Sequence, residues 1–176
     1  MKNIITAGAV ALLMASPASA EVKSAEDNGF SIAWTANVAA PPARVWASLG
    51  QISRWWNGDH SWSGDAANLS LTPVAGGCFC EKLPKSKGSV EHLRVVFADP
   101  NRLLRLTGAL GPLQSMALAG VMEWELKPNA NGTELSLRYT VSGAIPGGGK
   151  GLAPAVDGVL GEQFKRLTGF VGKKTK

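Results

Sequence analysis

LAPAVDGVLGEQFKRLTGFV, residues 152–171, sets Leu152, Val156, Val159, Leu160, Phe164, Leu167 and Val171 along one apolar stripe of a helix. At about 1.5 Å per residue such a helix runs roughly 30 Å, enough to cross a whole sheet. A stripe of that length needs an equally long apolar surface beneath it. The preceding residues supply one.

Residues 30–38, FSIAWTANV, alternate apolar and polar side chains as a half-buried strand does. Pro41 and Pro42 stop that strand, and the prolines pre-set the first turn of a helix. From there Val45, Leu49, Ile52 and Trp56 recur at helical spacing, interrupted at Gly50, which predicts two short helices. The loop NGDHSWSGDAAN, residues 57–68, is rich in turn formers. Six strands follow: LSLTPV (69–74), CFCEKL (78–83), SVEHLRVVF (89–97), RLLRLTG (102–108), VMEWELK (121–127) and TELSLRYTV (133–141). Most are joined by short turns, which favours antiparallel pairing; a longer loop, ALGPLQSMALAG (109–120), precedes the fifth. The expected class is α+β: seven antiparallel strands curled around one long C-terminal helix, with two short helices after the first strand.

The first twenty residues carry one charge, Lys2, then an apolar run from Ile4 to Met14 and the small-residue pattern Ala18-Ser19-Ala20. That pattern predicts a signal peptide cut after Ala20, and the run is too short to cross a bilayer. The expected location is therefore periplasmic or secreted, with no stable membrane anchor. Residues 21–28 are read as a flexible N-terminus, 29–171 as a single domain and 172–176 as a basic tail. The net charge of +5 owes much to Lys2, Lys173, Lys174 and Lys176, so the body is nearly balanced and gives no footprint for nucleic acid. GGGKG, residues 147–151, lies between a strand and a helix. It has Ala144 and Gly151 where a phosphate-binding loop needs glycine and a hydroxyl residue, so nucleotide binding is not expected.

Several stretches resemble a known family. Ala40-Pro41-Pro42-Ala43-Arg44-Val45-Trp46 with Leu49, then Trp55-Trp56, then Gly76-Gly77-Cys78-Phe79, are similar to the branch of the START and birch-pollen-allergen superfamily (SRPBCC) that holds the heat-shock chaperone ATPase activator homologues and polyketide cyclase/dehydrase-like proteins. The resemblance covers about residues 29–171. It implies the helix-grip fold and a cavity between sheet and helix that takes a hydrophobic or amphipathic small molecule. Some members bind and carry; others are cyclases, dehydratases or lyases. No cofactor is implied. Placed on this chain, the cavity would be lined by Trp55, Trp56 and Trp62 near its mouth. Phe79, Leu93, Met122, Trp124 and Tyr139 of the sheet and Leu160 and Phe164 of the helix would complete it.

Cys78 and Cys80 are the only cysteines. Two residues apart on a strand, their Cα atoms lie roughly 6.6–7 Å apart, too far for an unstrained disulfide unless the strand is bulged. Matching the apolar faces of residues 78–83 and 89–97 pairs Phe79 with Leu93, Glu81 with Glu91, Cys80 with His92 and Cys78 with Arg94; a one-residue slip would turn the cysteines inward. Three chemistries arise. His92 and Arg94 could activate a thiol. Cys78, Cys80, His92 and His60 could hold a metal, although the spacing is unlike zinc sites. Glu81 and Glu91, with His92, could perform proton transfer in the cavity. The expectation adopted is two unjoined thiols with no metal.

Overall fold

The computed structural model describes residues 19–172. Eight strands form one open, curled antiparallel sheet in the order β1-β2-β8-β7-β6-β5-β4-β3. They are β1 (Ser19–Glu26), β2 (Gly29–Val38), β3 (Leu69–Leu71), β4 (Cys78–Leu83), β5 (Gly88–Asp99), β6 (Leu103–Thr107), β7 (Ala119–Asn129) and β8 (Gly132–Ser142). Two helices accompany them, α1 (Pro42–Leu49) and α2 (Gly149–Gly172). The expected second short helix is a single 3-10 turn at Ile52–Arg54, and further 3-10 turns occupy Gly58–His60, Ala66–Asn68 and Gly111–Met116.

One face of the sheet is largely apolar. Ile32 and Trp34 of β2, Leu135 and Leu137 of β8, Met122 and Trp124 of β7, Leu104 and Leu106 of β6 and Phe79 of β4 are all buried on it. α2 covers this face, stacking Phe164 on Trp124 at 6.3 Å between ring centroids and setting Gly161 against the Trp34 indole. Its stripe is uneven. Leu160, Phe164, Leu167 and Val171 are fully buried, whereas Leu152, Val156 and Val159 are only half covered. The C-terminal half of α2 thus seals the core and the N-terminal half overhangs a gap.

The wall of that gap is stapled to α2. The Trp55 indole donates to the Ser48 carbonyl at 2.8 Å, holding the turn after α1 closed. Arg166 donates to the Trp55 carbonyl at 2.7 Å, and the buried Gln163 side chain accepts from the Asn57 amide at 2.8 Å.

The extra strand is a correction. Residues 21–28, expected to be flexible, lie largely within β1, which pairs with β2 from Ser19↔Thr35 to Glu26↔Gly29 with a register shift between Val22 and Ser24. An edge strand whose described side chains are mostly exposed needs only backbone partners, so it leaves little trace in apolar patterning. The greater part of the predicted signal peptide, residues 1–18, lies outside the described residues, as does most of the basic tail.

Candidate functional site

The site begins with a fault in the hairpin between β4 and β5. Cys78 pairs with Arg94 and Phe79 with Leu93, as expected, but Cys80 then pairs with Glu91. His92 is the extra residue of a β-bulge. Bulges re-aim side chains, and here the consecutive residues His92 and Leu93 both face the core. The expected pairs Cys80–His92 and Glu81–Glu91 therefore do not form. Glu91 sits half-exposed on the outer face, ion-paired with Arg94. The Glu81–Glu91 carboxylate pair is not assembled.

The fault also bears on the cysteines. Cys78 and Cys80 are joined by a disulfide, their Cα atoms only 5.4 Å apart. A regular strand cannot bring residues two apart so close, but β4 contracts where β5 bulges. The expectation of two free thiols is overturned. Both cysteines lie on the outer face, so His92, on the inner face, neither activates a thiol nor shares a metal with them. His60 is engaged elsewhere, 3.0 Å from Glu162.

Inside, the bulge brings His92 to Glu81. His92 Nε2 lies 2.9 Å from Glu81 Oε2, and the two residues are 6 % and 1 % exposed. Two backbone amides converge on the same carboxylate, Trp62 on Oε2 at 3.1 Å and Ser63 on Oε1 at 2.5 Å. Burial pushes the Glu81 pKa up, but the hydrogen bonds from Ser63, Trp62 and His92 outweigh it and hold the group below its ordinary 4.5. Burial also holds His92 below its ordinary 6.5, only partly opposed by Glu81. Near neutral pH the pair is thus a carboxylate and a neutral imidazole. An ionised carboxylate only accepts, so His92 carries its proton on Nε2 and presents a lone pair at Nδ1.

Above this pair lies a cleft of about 400 Å³. Its walls are the N-terminal half of α2 (Leu152, Val156, Val159, Leu160), the 59–62 segment and the 110–116 loop. The lining is almost wholly apolar, with His92 at the floor and Asp59 and His60 in the wall. Trp62 is 56 % exposed and forms part of the mouth. The loop opposite is pinned twice: Gln114 donates to the Glu91 carbonyl beside the bulge at 2.7 Å, and the Leu110 amide donates to the Tyr139 hydroxyl at 3.1 Å.

Of the ten residues expected to touch a ligand, Trp56, Trp62 and Leu160 line this cleft. Phe79 lies one layer deeper, its ring 4.7 Å from His92 and 5.1 Å from Trp56. Trp55, Leu93, Met122, Trp124, Tyr139 and Phe164 are buried in the core rather than along the cleft. Tyr139 spends its hydroxyl on the Leu110 amide and the Gly108 carbonyl, and burial pushes its pKa to about 12. The expected lining missed Leu110, Leu113 and Met116. Their signal was visible: residues 109–120 form a loop between strands that is mostly apolar, and solvent does not ask for such a loop.

The family described as polyketide cyclase / dehydrase and lipid transport matches residues 30–169. No curated protein matches the chain. Solved structures share the fold at low identity. A putative uncharacterized protein from Rhizobium leguminosarum superposes with a TM-score of 0.60 at 16 % identity, covering 90 % of this chain and 100 % of that one. Protein MLL2253 from Mesorhizobium loti gives 0.57 at 19 %, covering 83 % and 99 %. CalU16 from Micromonospora echinospora gives 0.57 at 16 %, covering 92 % and 88 %.

Proposed function

Because this chain belongs to the polyketide cyclase / dehydrase and lipid transport family, we propose that it is an exported protein that binds a hydrophobic or amphipathic small molecule in the cleft beneath α2. The observation that carries the reading is the apolar, partly open space above a single buried polar pair. A site of this kind holds a guest by apolar contact and orients it with few polar groups. Among the described residues no helix is long and apolar enough to cross a membrane. The export half of the proposal rests on the leader-like residues 1–20, and the Cys78–Cys80 bond suits an oxidising compartment. Native mass spectrometry of protein purified from its own host tests the binding. A co-purifying small molecule, released when Val156→Trp fills the cleft, is expected; a wild-type protein with no added mass, indifferent to lipid extracts, contradicts it. N-terminal sequencing of the exported protein should begin after Ala20.

One observation favours a second reading, an acid–base enzyme of the cyclase, dehydratase or hydrolase kind. The Glu81–His92 pair has the geometry of an oriented general base. His92 Nδ1 would take a proton from the bound molecule, and Glu81 would stabilise the imidazolium formed. Glu91, on the outer face, has no part in it. Incubating the co-purified molecule with the protein separates the readings: conversion that His92→Gln abolishes supports catalysis, and unchanged mass supports carriage.

A further inference from the structure

We infer that the cleft selects neutral ligands that bring a hydroxyl donor to the His92 imidazole, and that it discriminates against carboxylates. This deepens the binding reading above and rests on it. Three observations converge. The first is the hydrogen-bond direction at the floor. His92 Nε2–H is committed to Glu81, whose second oxygen and remaining capacity are occupied by the Trp62 and Ser63 amides. The polar atom left to meet a ligand is Nδ1, an acceptor. Among the described residues Nδ1 has no hydrogen-bond partner, and His92 is one of the residues that line the cleft. The ring therefore offers the cleft a lone pair, which a hydroxyl satisfies and a carboxylate oxygen does not.

The second observation is charge. Among the described residues no lysine or arginine lines the cleft; the titratable ones that do are Asp59, His60 and His92. His60 is already held by Glu162. A carboxylate guest at the floor would sit one imidazole away from the buried Glu81 carboxylate, in a largely apolar site where like charges repel more strongly than in open water. The third is the placement of α2. It presents the apolar side chains Leu152, Val156 and Val159 to the cleft, which offer an anion no hydrogen bond and no charge. Nothing in the lining compensates an anion.

Isothermal titration with a shape-matched series tests this: naphthalene, 1-naphthol and 1-naphthoate, near neutral pH. The expected order is naphthol tightest, ahead of naphthalene by severalfold and of naphthoate by at least about tenfold. His92→Phe should remove the advantage of naphthol over naphthalene. Glu81→Gln keeps an acceptor for Nε2–H while removing the charge, and should narrow the gap between naphthol and naphthoate. If a variant fails to fold, the wild-type ranking still decides. Naphthoate binding as tightly as naphthol, or more tightly, overturns the inference and leaves the cleft reading intact. Failure of all three to bind counts against the cleft itself and takes the inference with it.

Discussion

His92 and Leu93 are neighbours in sequence and are both buried, which a regular strand forbids, and most of the site chemistry follows from that irregularity. Had β5 continued in register, His92 would face outward opposite Cys80. Sequence reasoning paired Cys78 with Arg94 and Phe79 with Leu93 correctly but carried the register on unbroken, since periodicity of two contains no mark for one inserted residue. The same insertion explains the disulfide. Ellman titration of denatured, unreduced protein is expected to find no free thiol; two thiols would show that β4 is not contracted. The loop closed by residues two apart is minimal, so the loop-entropy relation gives the bond about 1–2 kcal/mol, and Cys78→Ser with Cys80→Ser should lower stability by no more than that.

At the scale of elements, the strands and the long helix were legible because each repeats its pattern over many residues. β4 starts and stops where the sequence placed it, and α2 extends the expected 152–171 by only a few residues. β1 was not legible, since an edge strand is specified by its partner's backbone rather than by its own side chains. Helix α2 offers a paired test of its packing. A Cβ on Gly161 would sit 2.9 Å from Trp34 Nε1, whereas a Cβ on Gly158 meets nothing within 4 Å. Gly158→Ala should therefore raise stability by about 0.5–1 kcal/mol through helix propensity alone. In Gly161→Ala that gain is outweighed by an overpacking cost of about 1–3 kcal/mol. Chemical denaturation of both variants checks it; equal gains would mean that α2 does not press on Trp34.

For the whole molecule, the family resemblance correctly implied a sheet gripping a helix, and the residues it marked for a ligand divide between the cleft and the core. Buried aromatics such as Trp124 and Phe164 look the same in sequence whether they line a cavity or fill one; here they fill the core. The cleft lies higher, where the apolar 110–116 loop and the half-covered start of α2 meet. Glu81 and His92 also shape the acid response of the entire fold. Both are held below their ordinary values, so the unfolded chain takes up protons that the folded one refuses. Stability should fall as pH drops below 6.5 through His92, and again below 4.5 through Glu81. Thermal melts across this range should show His92→Gln losing the upper slope and keeping the lower. A wild-type melting temperature that is flat from neutral to pH 4 would mean that the pair is not buried as described.

The central claim is that the bulge delivers a neutral imidazole, protonated at Nε2 and open at Nδ1, to the floor of the cleft beneath α2. Nitrogen-edited NMR of imidazole-labelled protein, with and without 1-naphthol near neutral pH, tests it most directly. The predicted spectrum shows His92 as the Nε2–H tautomer, with its Nδ1 resonance shifting upon ligand addition as the lone pair accepts a hydrogen bond. An imidazolium, an Nδ1–H tautomer, or an Nδ1 signal indifferent to bound ligand would contradict it.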